Sequence, residues 1–302
     1  MSFEIIIPFL KPIEHLLMDA TISEIMVNPD GSVWIEEKGH ILLQSGIRFD
    51  DGALLTGLEV IANRFGKKLD ADLPIMNLRL PDGSRTAALI PPVVNPRPMM
   101  TIRKFTSRNF TIDDLIERRA LTAAQAEILT DHVRRGDNLL ISGGTGSGKT
   151  TLTNVLSSFI PDGDRILILE DVAELYIKKP HVISAEVQLD THKSQIGFAD
   201  LLKAALRHRP DRIIVGEIRG PEARVFLDAL NTGHRGSLST IHANSATDAL
   251  RRLAQLAMRG SGGGVPLNDV EEECERSIDV IVHVMNEDGW RHISEIRVVA
   301  AG

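Results

Sequence analysis

Residues 143–150 read Gly-Gly-Thr-Gly-Ser-Gly-Lys-Thr, a match to the pattern G-x-x-x-x-G-K-S/T between an apolar run, "NLLISGG", and a stretch with helical spacing. The pattern has a physical purpose. Glycines let the backbone wrap a phosphate closely, so that successive N–H groups and a helix N-terminus point at the anion. In that geometry Gly143, Gly144, Thr145, Gly146, Ser147, Gly148 and Thr151 line the cradle. Lys149 reaches the β- and γ-phosphates, and the Thr150 hydroxyl ligates Mg²⁺. The sequence therefore predicts binding of a nucleoside triphosphate.

Two other apolar runs end on acids. "RIIVGEI" delivers Glu217 after Gly216, and "RILILED" delivers Glu170 and Asp171, with Glu174 one helical turn later. An acid at the carboxyl end of a buried strand beside a phosphate loop holds Mg²⁺ or its water. Glutamate at 217 suggests a long arm acting on the metal through water. A carboxylate near the γ-phosphate can also deprotonate the attacking water. The residue types leave the choice of base between Glu170 and Glu217 open. "GSLSTIHAN" ends another β-prone run on His242, flanked by Thr240 and Asn244. On the rim that carries the loop, an imidazole can hydrogen-bond a γ-phosphate or an acid.

Those side chains converge only if their strands are neighbours. From Asp137 onward short apolar runs alternate with helical stretches, which predicts an α/β domain with a mostly parallel sheet over 137–302. Before it, "TIDDLIERRALTAAQAEILTDHVRRG" holds two helical stretches with capping signals at Thr111 and Thr122, read as a helical linker over 106–136. Residues 1–105 alternate apolar and polar positions around Asn-Pro-Asp-Gly and Pro-Asp-Gly-Ser turns. A smaller α+β N-terminal domain is expected there, with Leu54, Leu55, Leu58 and Ile61 on one side of a helix. "GSGGGVP", 260–266, reads as a flexible loop before a closing helix and two last strands.

Composition narrows the functional classes. A net charge of −7 disfavours a broad grip on nucleic acid, so no tight direct nucleic-acid ligand is expected. The single cysteine, Cys274, excludes an intrachain disulfide framework and any multi-cysteine zinc site. No apolar run approaches the ~20 residues of a spanning helix, and the N-terminus does not read as a signal peptide. The expected location is cytoplasmic.

The order "SGGTGSGKTTL", "ILILEDVAEL", "LRHRPDRIIVGEIRG", "GHRGSLSTIHAN" resembles the traffic ATPases of bacterial type II/IV secretion. "DGSRTAALIPPV" and "MTIRKF" are similar to the N-terminal domain of its type IV secretion and conjugation branch, the conjugal-transfer ATPases of the TrbB type. The resemblance implies a RecA-like P-loop domain with a Walker A loop, an Asp-box acid at Glu170, a Walker B acid at Glu217 and a His-box histidine at His242. It also implies arginines from the N-terminal domain over the phosphates, for which Arg85 and Arg103 are the candidates, with Arg207 or Arg209 acting across a subunit boundary. The implied protein is an ATP- and Mg²⁺-dependent motor, forming a homo-oligomeric ring, a hexamer in the family. It would work at the inner face of the inner membrane on channel components of conjugative transfer or type IV secretion, or on pilus assembly. Having one cysteine, this chain departs from members of the type II secretion and pilus-extension branch that carry a four-cysteine zinc module. A pilus-retraction or adherence-pilus motor of the same superfamily is the alternative; a DNA-translocating RecA-like helicase is the alternative of another class.

Overall fold

In the computed structural model the described residues are 6–37, 39–80, 82–104, 110–171, 173–187, 196–262 and 264–299. The chain divides into two compact units, 1–108 and 109–302.

The first unit is built on a six-stranded antiparallel sheet. Its elements are a short helix α1 (Glu14–Met18), β1 (Ile22–Val27), β2 (Ser32–Glu37), β3 (His40–Arg48), α2 (Asp51–Arg64), β4 (Ile75–Arg79), β5 (Arg85–Leu89) and β6 (Met99–Arg103), with strands ordered β3-β2-β1-β6-β5-β4. Asp50 caps α2 by accepting from the Gly52 N–H. The helix buries Leu54, Leu58 and Ile61 on the sheet beside Ile25, Val27, Met100 and Ile102. Three of the four positions named from the helical spacing are thus buried, and Leu55 packs partly buried at the edge of the same cluster. The hairpin and meander anticipated from the turn residues are both present.

The second unit opens with α3 (Ile112–Glu117) and α4 (Ala123–Arg135), each headed by a reciprocal capping box, at Thr111 with Asp114 and at Thr122 with Gln125. Leu115, Leu121, Ala126, Leu129 and Val133 share one core cluster with Leu139, Ile141, Ile166 and Ile214. These helices therefore form a layer of the second unit's core where a linker over 106–136 had been anticipated. Residues 106–109, at the start of that linker, lie outside the described residues. An amphipathic face must be covered, and the sheet covers it.

The sheet itself comprises β7 (Leu139–Gly143), β8 (Ile166–Glu170), β9 (Val182–Glu186), β10 (Arg212–Ile218), β11 (Leu238–Ile241), β12 (Val280–Glu287) and β13 (Trp290–Val298). Their order is β13-β12-β7-β11-β10-β8-β9. All neighbours are parallel except the final hairpin, β12 with β13. The helices α5 (Lys149–Ser157), α6 (Phe198–Ala205), α7 (Glu222–Asn231), α8 (Ala246–Gly260) and α9 (Leu267–Ser277) complete it. β7, β8 and β11 are buried at every position, which is why they lack apolar–polar alternation, with Ser142, Ser239 and Thr240 buried among apolar neighbours. The mostly parallel α/β fold anticipated for 137–302 is observed. The edge strand β9, "VISAE", carries no such buried run and was missed; all five of its residues are exposed or half-buried. Residue 260 closes α8 rather than opening a loop.

Asn138 ties the amino ends of the central strands together. Its Nδ2 donates to Ser277 O at 2.8 Å, its Oδ1 accepts from Ser237 N at 3.1 Å, and its own N–H donates to Asp279 Oδ2 at 2.7 Å. One buried amide so fixes the entries to β7, β11 and β12, whose other ends form the site.

Candidate functional site

β7 ends on Gly143, and the chain then turns into α5 through 144–148. Gly143 has φ +154°, and a Cβ there would stand 2.3 Å from Val284 O, so only glycine fits between β7 and β12. Gly146 (φ +70°) and Gly148 (φ +99°) take left-handed conformations that make the loop curl back on the helix. Lys149 is buried, and its Nζ donates to Gly143 O at 2.9 Å and Gly144 O at 2.8 Å. Burial pulls its pKa down, partly opposed by the Glu217 carboxylate.

The parallel order brings the anticipated side chains to one rim. β11 lies between β7 and β10, so His242 follows directly beside the loop. Its Nδ1 is 3.5 Å from Lys149 Nζ, and its Nε2 is 3.1 Å from Glu217 Oε1. The latter is an ion-pair distance, but the ring N–H is not aimed along it, and Glu217 Oε1 is buried without a hydrogen bond. Burial and the Lys149 ammonium hold the His242 pKa below the ordinary histidine value, which keeps the ring neutral at pH 7.

Glu217 leaves the sheet through a bulge. β10 pairs Val215 with Ser239 and then Ile218 with Ile241, one residue more than its partner, and Thr240 Oγ1 donates to Gly216 O at 2.6 Å. Burial alone raises the pKa of Glu217, but the Arg219 hydrogen bond and the nearby cations outweigh it, and the carboxyl stays below its usual value. Arg219 spans two acids, donating to Glu217 Oε2 at 2.8 Å and to Asp171 Oδ2 at 3.4 Å. Arg219 was not singled out from the sequence; its place two residues after the strand-end acid was the available signal.

Glu170 is only 3% exposed. Its Oε1 accepts from Glu174 N at 2.8 Å and Leu175 N at 3.0 Å, while Oε2 is buried without a partner. Burial pushes its pKa up to about 7. Gly216 lies against it: a Cβ there would come within 2.8 Å of Glu170 Cγ. The acid that reaches the loop from this segment is Glu174, whose Oε2 accepts from Thr150 Oγ1 at 3.1 Å. Glu174 was noted in the sequence but given no role.

Arg207 and Arg209 precede the amino end of β10, whose carboxyl end carries Glu217, so within one chain they stand at the opposite edge of the sheet. In the first unit, register places Arg85 opposite Arg103 on β6 and opposite Arg79 on β4. Three guanidinium side chains thus share one face in one cross-strand row.

The hydroxyl of Thr150 and the carboxylates of Glu174 and Glu217 make an all-oxygen set, which suits Mg²⁺ completed by phosphate oxygens and water. Among the described residues no group of three or more His, Cys, Asp or Glu could hold a metal unaided. The curled loop, the buried ammonium and the orphaned Glu217 oxygen fit a Mg²⁺-triphosphate.

A profile of the family described as "Type II/IV secretion system protein" matches residues 9–287. The chain belongs to that family. Conjugal transfer protein TrbB of Rhizobium radiobacter is 39% identical over 285 residues, covering 93% of this chain and 84% of that protein. Among solved structures, the VirB11 ATPase of the Brucella suis type IV secretion system is 28% identical with a TM-score of 0.53, covering 97% of each chain. The pilus retraction motor PilT, solved with ADP, shares the fold at 19% identity and a TM-score of 0.69, over 98% of this chain and 83% of that one. Family membership and a Walker A loop on a RecA-like sheet make the protein an ATPase of the secretion and conjugation group. Among the described residues no helix is long and apolar enough to cross a membrane.

Proposed function

We propose that the chain is the Mg²⁺-dependent, ring-forming ATPase of a conjugative-transfer or type IV secretion machine, a homohexamer acting at the cytoplasmic face of the inner membrane on channel or pilus-assembly components. The observation that carries the catalytic part is convergence: Lys149, Thr150, Glu174, Glu217 and His242 arrive from four separate elements at one loop. The similarity to a conjugal transfer protein over most of both chains supports the conjugative assignment.

Bound Mg²⁺ would supply charge neutralisation for the transferring phosphoryl group, with Thr150 as a direct ligand and Glu217 acting through water. Lys149 would exchange the two loop carbonyls for the β- and γ-phosphates. Glu170 is a positioning residue in this scheme: it grips the Glu174 and Leu175 amides and so presents the Glu174 carboxylate at the metal side of the loop. Deprotonation of the attacking water falls to Glu174 or Glu217, both of which flank the loop, rather than to Glu170. His242 joins Lys149 to Glu217 and can sense whether a γ-phosphate stands between them. Arg85 and Arg103 are the proposed phosphate-binding arginines of the first unit. The cross-strand row Arg79–Arg85–Arg103 places both candidates on one face, with Glu24 of β1 opposite Arg103.

The test is phosphate release by the purified protein. Lys149→Ala and Glu217→Gln are expected to lower turnover at least ~100-fold with unchanged melting temperature, as loss of a charge-stabilising group does. Near-normal rates in either variant would remove the site assignment.

A further inference from the structure

The last hairpin does more than close the sheet. The final β12–β7 pair is Val284 with Gly143, so Met285, Asn286 and Glu287 run on past the end of β7, alongside the phosphate loop. The two-residue turn Asp288-Gly289 has both φ values positive, 50° and 92°. That is the turn whose twist matches a hairpin, and it sets Asn286 opposite Arg291. Cross-strand partners share a face, and both side chains reach the same atom: Arg291 Nε donates to Gly146 O at 2.8 Å, and Asn286 Nδ2 approaches it at 3.5 Å. Asn286 Oδ1 at the same time accepts from Gly289 N at 3.0 Å, so the turn and the contact are one unit. The Arg291 stem crosses the loop at Gly148, its Cδ 3.6 Å from where a Cβ would stand.

We propose that Arg291, seconded by Asn286, is the positioning residue of the phosphate loop. The argument is geometric. In a trans peptide the C=O and the following N–H point in opposite directions. Anchoring the Gly146 carbonyl on the hairpin therefore turns the Ser147 N–H to the loop's inner side. There it makes only a long 3.4 Å bond back to Gly144 O, one that a phosphate oxygen can replace. Gly146, left-handed and without a side chain, is the residue whose peptide most easily flips. The guanidinium also leaves a positive charge beside the cradle, since none of the ion pairs among the described residues involves Arg291. Loop amides preset in this way improve nucleotide binding without touching the reacting atoms.

This inference rests on the ATPase reading above, and the experiment separates the two. Binding of a fluorescent ATP analogue and of ADP is measured alongside steady-state ATPase rates for the full chain, Arg291→Ala, Arg291→Lys and Asn286→Ala. Arg297→Ala, at the far end of the hairpin, is the control. Loss of one charge-assisted hydrogen bond predicts that Arg291→Ala raises both the dissociation constant and KM about tenfold while kcat stays within about twofold. Arg291→Lys, which keeps charge and a donor, should recover most of the loss, and Asn286→Ala should weaken binding about twofold. Amide hydrogen exchange of residues 144–148, measured without nucleotide, should be faster in Arg291→Ala. Unchanged affinity with unchanged loop exchange overturns the proposal, as does a fall in kcat at constant KM. If Arg291→Ala fails to fold, unshifted affinity together with unchanged exchange of residues 144–148 in Asn286→Ala overturns it equally. Should the parent chain itself bind no nucleotide, the ATPase reading falls, and loop exchange alone still reports whether Arg291 holds the loop.

Discussion

At Glu170 the same burial that fixes the side chain makes it titrate near neutrality. The carboxyl lies under Gly216, accepts two amides through one oxygen and leaves the other unpaired, with Glu174 and Glu186 adding further upward pressure on its pKa, which reaches about 7. A folded-state pKa raised above the unfolded value means that the native state holds its proton over a range where the unfolded chain has lost it. Its contribution to stability is fully present below the ordinary carboxyl value of 4.5 and is lost as pH rises through about 7. Denaturation at a series of pH values should therefore show the parent losing stability between those limits relative to Glu170→Gln, whose amide stays neutral. Parallel curves for the two proteins would mean that folding does not raise the pKa of this carboxyl. The His242 ring carries the opposite sign: its pKa is lowered by burial and by Lys149, so acidification charges it against a neighbouring ammonium. Activity should fall on the acid side through this group, and His242→Asn should remove that limb of the pH–rate profile.

Among the elements, the parallel strands deliver chemistry at their carboxyl ends, and their amino ends are tied separately by Asn138. Removing that amide leaves Ser277 O and Ser237 N buried without partners. Asn138→Ala is expected to destabilise the protein by about 2 kcal/mol, lowering Tm by roughly 4–8 °C, with little change in KM. Thermal unfolding checks the first and steady-state kinetics the second. α3 and α4 show why the helical segment before the P-loop domain could not be assigned from local signals. Both capping boxes were legible at Thr111 and Thr122, because a cap is a contact within four residues. Whether the apolar faces cover the sheet depends on residues such as Ile166 and Ile214, which are distant in sequence.

On the scale of the whole molecule, each unit carries its own charged cluster: carboxylates, the Lys149 ammonium and the Arg219 and Arg291 guanidiniums around the loop of the second, and Arg79, Arg85 and Arg103 in one row on the sheet of the first. Arg85→Ala and Arg103→Ala should each lower kcat about tenfold or more while leaving the second unit's stability unchanged, as the removal of a transition-state cation does. A rate per chain that rises with protein concentration would accompany ring formation, and light scattering on the same samples would check it. A rate independent of both arginines would confine hydrolysis to the second unit.

By itself the sequence determined the loop, the alternation of buried strands and helices, and the residues that end those strands. Each of these depends on spacing along the chain: glycines in a tight turn, apolar runs bounded by acids, threonines three residues before an acceptor. Strand order, burial and reach were decided only in three dimensions. They bury Glu170 and leave Glu174 at Thr150, place Arg219 between two acids, align Arg79 with Arg85 and Arg103, and bring Arg291 to Gly146 across 145 positions. Such pairings are made by neighbouring strands far apart in sequence, and a side chain's charge state follows from what those neighbours exclude.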